Sequence, residues 1–194
     1  MKLSAGGAGV TRALNALRLL ADTISLQGLV DDLLFRARSE SGSLSRPSAP
    51  IDLDDLVLEE ARRLRERGRV QVDVRAVSAA RVLGDAEQLA RTSRNLTSNT
   101  ERHATRTVTL ELRENAEHSL LVVADYGPGI PAQHPATVVK PFTRLDEARS
   151  RDAGGSGLGL AIVHDIVEHH RGAVTIASSD GEGARFVVTL PRAD

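Results

Sequence analysis

At 194 residues the chain has the length of one ordinary domain plus an appendage. Its hydrophobic fraction of 41% suffices for a core, and with only three Phe and one Tyr that core must be built from Leu, Val, Ile and Ala. A net charge of −1 gives no global pull toward nucleic acid or an anionic membrane, and the lack of cysteine excludes disulfides, thiolate catalysis and cysteine-based zinc sites.

The first nine residues are small and Gly/Ala-rich, without the cationic start and apolar core of a secretory leader. No apolar run approaches the ~18–20 residues of a membrane span. Direct membrane insertion is therefore not expected, and the cytoplasm is the expected compartment. From about Val10 to Glu40 the pattern is helical, with Leu26, Val30, Leu33 and Ala37 on one stripe widened by Leu29 and Leu34. Gly28 interrupts it at about 1 kcal/mol relative to Ala, so this helix is expected to lean on a partner. Ser41 to Pro50 reads as a linker. The expected division is residues 1–45 as a helical appendage and 46–194 as the main domain.

Ile51 to Arg67 is predicted as a second amphipathic helix with Asp52 at its N-cap, and its arginines at 62, 63, 65, 67 and 69 as a solvated face. Val70, Val72 and Val74 alternate like a strand, and Val82-Leu83 form another that ends at Gly84. Asp85 to about Ala104 is helical. Thr107–Leu112 and Ser119–Ala124 are adjacent strands, and 126–156 is a long irregular segment of the length that usually carries function. Gly157–His170 is a helix, followed by strands Ala173–Ala177 and Arg185–Leu190. The sum is an α+β fold, a two-layer α/β sandwich with a mixed sheet and helices on one face.

Three elements carry chemistry. Asn is a poor mid-helix residue, so Asn95 and Asn99 at i, i+4 imply a task on one helical face, continued by Arg102 and His103. A single Asn carbonyl suits Mg2+, which prefers a few hard oxygens and leaves room for phosphates and water. Asp125 ends an apolar strand, where its carboxylate can accept from an adenine amino group, and Gly127 and Gly129 follow as a turn. Gly155, Gly157 and Gly159 open a helix, a seat for phosphate at its positive end. The dinucleotide fingerprint would need a strand before the first glycine; residues 148–152 are polar and have no strand pattern. A phosphate loop of the Gly-Lys-Ser/Thr type is absent as well. In this order the elements argue for an ATP site.

Asn95-Leu96-x-x-Asn99, Asp125-x-Gly127-x-Gly129, Phe142-Thr143-Arg144 and Gly155-x-Gly157-Leu158-Gly159-Leu160 together resemble the N, G1, F and G2 boxes of the ATP-binding domain of bacterial sensor histidine kinases, part of the superfamily that includes gyrase. Leu29 to Leu34 and Ala37 to Gly42 resemble the second helix of that family's dimerisation hairpin, so residues 1–45 would be a residual dimerisation helix and 46–194 the ATP-binding catalytic domain. The resemblance implies ATP and Mg2+ as cofactors and Asn99 as the metal ligand, with Asn95 helping on the same face. It further implies Arg102 on phosphate, His103 packed against the nucleotide, Asp125 on the adenine amino group, and Arg144 near the terminal phosphate. Gly155, Gly157, Leu158 and Gly159 would cover the phosphate chain. Hydrolytic relatives carry a glutamate in the N box, and Asn95 cannot act as a base, which favours phosphoryl transfer over hydrolysis.

The family's phosphoacceptor motif is absent. Histidines stand at 103, 118, 134, 164, 169 and 170 without its context, and His164-Asp165 reads as a surface pair. The expected partner is thus a separate histidine-bearing dimerisation or phosphotransfer protein, with a response regulator engaged indirectly and no nucleic acid. Thr92, Ser93, Thr97 and Thr100 stand where the family generally shows apolar or small residues, and Val139 where a Phe is frequent. Two alternatives follow: a degenerate regulatory module that binds ATP without transfer, or an anti-sigma-type serine kinase, which would not need the upstream helix.

Overall fold

The computed structural model describes residues 49–127, 158–179 and 183–193, with helical positions scattered between 15 and 38. Chain order gives β1 (Ala49–Asp52), α1 (Leu53–Arg67), β2 (Gln71–Val77), β3 (Arg81–Gly84), α2 (Ala86–His103), β4 (Thr107–Glu114), β5 (His118–Asp125), α3 (Gly159–His169), β6 (Ala173–Ser179) and β7 (Gly183–Pro191). Five strands form one sheet in the order β2-β4-β5-β7-β6, while β1 and β3 pair separately. The β2–β4 pair is parallel and the other pairs are antiparallel, which makes the sheet mixed.

Strand alternation decides where the core lies. Leu110, Val123 and Phe186 stand in register across β4, β5 and β7, as do Leu112, Leu121 and Val188, and all six are buried. They meet Leu53, Val57 and Leu64 of α1, Leu89 and Leu96 of α2, and Val163 and Val167 of α3 in one apolar cluster. The intervening residues face away from the helices; there Arg185 reaches Glu111 at 3.3 Å. This is the expected two-layer sandwich with helices on one face.

The start of α1 differs from expectation. Ile51 belongs to β1, paired opposite Val82 of β3, and the helix opens at Leu53. A helix beginning at 51 would forfeit that pairing and the Leu53 N–H bond to the Ala80 carbonyl at 2.8 Å. Asp52 does hold the N-cap position, but its carboxylate makes no capping bond and is taken by Arg81 Nε at 2.6 Å. The arginine face of α1 is solvated as expected, and Arg62 spans Glu59 and Glu66 on the surface.

Among the N-terminal helical positions, Ala16, Leu19, Thr23, Leu26, Val30, Leu33 and Ala37 follow a strict 3–4 spacing and every one is exposed. Phe35 is different. It is buried against Leu158, Ile162 and Ile166, with the Arg91 guanidinium 5.7 Å from its ring centre.

Candidate nucleotide site

The acid at position 125 is built by backbone. Central strand β5 ends at Asp125 with its side chain on the core side, and the residue is 3% exposed. Its Oδ1 accepts from the Gly127 N–H at 2.9 Å and from the Ala184 N–H at 3.3 Å. Oδ2 is buried without a hydrogen-bond partner among the described residues. Burial pushes the Asp125 carboxyl above the usual carboxylate range, against the downward pull of the two backbone donors. A fixed acceptor with one unused oxygen is what remains.

Two glycines make this arrangement possible. A Cβ at Gly127 would lie 2.2 Å from the His103 carbonyl oxygen, and one at Gly183 would lie 2.0 Å from the Asp125 carbonyl oxygen. Gly183 also has φ +84°, a conformation that side chains resist. The end of α2, the β5 terminus and the start of β7 therefore meet at backbone contact. Thr105 Oγ1 adds a bond to the Tyr126 carbonyl. Gly127 was expected here; Gly183, Ala184 and the His103 carbonyl were not. The Gly181-x-Gly183 spacing at the start of β7 is the signal that could have found them, since glycines that close together at a strand end mark tight backbone approach.

Helix α2 carries the asparagines. Asp85 caps it by accepting from the Gln88 N–H at 3.0 Å. Asn95 and Asn99 are half-buried, one turn apart. Asn95 Nδ2 donates to the Gly159 carbonyl at 3.2 Å, so the expected asparagine and the expected glycine are brought together at the opening of α3. Leu158, the residue before that helix, is fully buried. Arg102 and His103 lie exposed in the last turn of α2. Gly129, Arg144, Gly155, Gly157, Val139 and the Phe142–Arg144 segment lie outside the described residues.

The polar residues of α2 are buried, as their sequence positions implied. Thr92, Ser93, Thr97 and Thr100 are each at most 3% exposed. Thr92 and Thr100 bond carbonyls of their own helix at 3.2 and 2.7 Å, and the Thr97 hydroxyl has acceptors within 3.2 Å, which answers the cost of burying a hydroxyl. Ser93 Oγ has no partner among the described residues. His164 is a surface residue beside Asp165 at 3.6 Å. No helix among the described residues is long and apolar enough to cross a membrane.

Comparison with known proteins gives a consistent result. A family model described as histidine kinase-, DNA gyrase B- and HSP90-like ATPase matches residues 84–194. The probable sensor histidine kinase TcrY of Mycobacterium tuberculosis is 37% identical over 181 residues, covering 90% of this chain and 37% of that protein. Sensor protein RstB of Escherichia coli is 34% identical over 175 residues, covering 88% of this chain and 40% of that protein. The chain spans less than half the length of the curated relatives it matches. Among solved structures, mycobacterial sensor histidine kinase MprB aligns with TM-score 0.67 and 30% identity, over 75% of this chain and 97% of that one. Full-length ShkA in complex with AMPPNP aligns with TM-score 0.76 and 27% identity, over 100% of this chain and 40% of that one.

Proposed function

Because the chain belongs to the histidine kinase-, DNA gyrase B- and HSP90-like ATPase family, we propose that it is the ATP-binding part of a two-component kinase that phosphorylates a histidine on a separate chain. The observation that carries the nucleotide reading is the unpartnered, buried Oδ2 of Asp125 beside an Oδ1 already fixed by two N–H donors. A purine amino group is the donor this oxygen lacks. Bound ATP supplies the γ-phosphoryl group and Mg2+ neutralises the phosphate charge as it develops.

The chain's own residues then have distinct tasks. Asp125 orients the base. Asn99 offers a carbonyl oxygen to the metal, in a region where no cluster of three His, Asp or Glu side chains competes among the described residues. Asn95, held to Gly159, keeps the N-terminus of α3 next to α2 so that its amides can face phosphate. Arg102 lies on the same stretch of helix, and Arg144 would complete the charge at the terminal phosphate. Neither Asn95 nor Asn99 can take a proton from water, which supports transfer rather than hydrolysis.

None of the chain's six histidines has the acid-Leu-Arg/Asn-x-x-Pro context of the family's phosphoacceptor. The exposed 3–4 seam from Ala16 to Ala37 supports residues 1–45 as a dimerisation-type helix that pairs with a helix of the histidine-bearing partner, and residues 46–194 as the catalytic domain.

Incubation with Mg-ATP and a candidate hairpin protein should place acid-labile, base-stable phosphate on the partner's histidine. Nucleotide binding without any transfer to a confirmed partner would favour the degenerate regulatory module instead. ATP at 100 times its dissociation constant should stabilise the chain by about 2.7 kcal/mol, and no thermal shift would defeat the nucleotide reading itself.

A further inference from the structure

Glu60 is the one buried carboxylate of α1, 4% exposed and on the face that meets α2. Burying an acid is costly unless it is paired, and a Leu there would serve packing better. The structure surrounds it with specific partners. Thr97 Oγ1 donates to Glu60 Oε1 at 3.0 Å. Arg67 stands 3.6 Å from the same oxygen and Arg63 stands 3.7 Å from Oε2. Arg67 also reaches Glu101 of α2 at 3.1 Å. Two helices are thus joined by a Thr97–Glu60–Arg67–Glu101 chain.

Its place on α2 gives the chain its meaning. Thr97 lies midway between Asn95 and Asn99, two residues from each, so at about 100° per residue it sits on the opposite side of the helix from both. Whatever fixes Thr97 fixes the rotation of α2 and with it the direction of the two asparagines. Glu60, Ser93 and Thr97 line a small gap there with Val57, Leu110 and Val123, too small for water. The Thr97 hydroxyl has one proton and three acceptors in reach, Glu60 Oε1, the Ser93 carbonyl at 2.9 Å and the Arg94 carbonyl at 3.2 Å. Only the first ties it to another element. Glu60 also lies upstream of the 84–194 span matched by the family model.

Resting on the nucleotide reading above, we infer that Glu60 is a positioning residue for Asn95 and Asn99, acting through Thr97 with Arg67 holding its carboxylate in place. The adenine end at Asp125 does not depend on it; the metal and phosphate end does.

The test titrates the full chain with ATP in Mg2+ and again in EDTA, and reads the ratio of the two affinities. Wild type should bind more tightly with the metal. Glu60→Ala and Thr97→Val should each lose about tenfold of that metal-dependent gain, the worth of one well-placed charged hydrogen bond, while affinity in EDTA stays within about twofold. Thr97→Ser, which keeps the hydroxyl, should restore the wild-type ratio, and Thr97→Val serves if Glu60→Ala does not fold. A lowered Tm with the ratio unchanged would make Glu60 a stability residue only and overturn the inference. Failure of wild type to bind ATP in either buffer would instead overturn the nucleotide reading, and this inference with it.

Discussion

The two ends of the proposed nucleotide site are held by different means. At the β5 end, Asp125 is fixed by two main-chain N–H groups and hemmed in by glycines at 127 and 183. At the α2 end the ties run through side chains: Thr97 to Glu60, Asn95 Nδ2 to the Gly159 carbonyl, and Asp85 to the Gln88 N–H at the helix start. A backbone-built site tolerates change in every side chain except the acid and the glycines. One built from side chains can be retuned by a single substitution on the neighbouring helix.

The largest expected effect tests the backbone-built end. Gly183→Ala forces a non-glycine residue to φ +84° and sets its Cβ against the Asp125 carbonyl. It should cost about 3 kcal/mol of stability, read by urea denaturation; a loss within about 0.5 kcal/mol would show that this hairpin yields easily. Next comes Asp125→Asn, which separates binding from stability. Removing an acid whose burial opposes its charge should leave stability unchanged or raised. Removing a charged acceptor should weaken ATP by about 2 kcal/mol, roughly 30-fold by calorimetry.

The smallest effect sharpens the side-chain end. His170 is 5% exposed, and its Nε2 accepts from the Asp85 N–H at 3.1 Å while Nδ1 faces the Ile166 carbonyl at 2.8 Å. It ties the exit of α3 to the cap of α2. Burial pushes its pKa below the ordinary imidazole range, helped by neighbouring His169 and opposed by the Ile166 carbonyl and Asp85. The folded state therefore prefers the neutral ring. This contribution to stability is complete above the unfolded pKa of about 6.5 and falls as pH drops below it, by at most about 1.4 kcal/mol per pH unit. Denaturation at pH 7.5 and 5 should show that slope in wild type and a shallower one in His170→Gln.

Much of the backbone-built end was legible in the sequence because its requirements are local. Asp125 and Gly127 announce themselves by position after an apolar strand, and the asparagines by their awkwardness in a helix. Gly183 and Ala184 fall between the two last predicted strands and carry no local signal of their role, because the Ala184 contact with Asp125 spans 59 residues in the chain. The partner of Thr97 was unreadable for the same reason: Glu60 looks like one more charge on a strongly charged helix until α1 is docked. Ile51 was misread as helical since β1 has four residues and takes its pairing from β3, 29 to 35 residues further on. The layers themselves are legible because strand alternation in β4, β5 and β7 sets them unaided.

Phe35 carries a mechanical consequence. On its helix it lies roughly opposite the Leu19–Leu26–Leu33 ridge, and its ring is seated on the residue that opens α3 and two others along that helix. A partner seated on that exposed ridge would bear, through Phe35, on Leu158 at the opening of α3 and on Ile162 and Ile166 behind it.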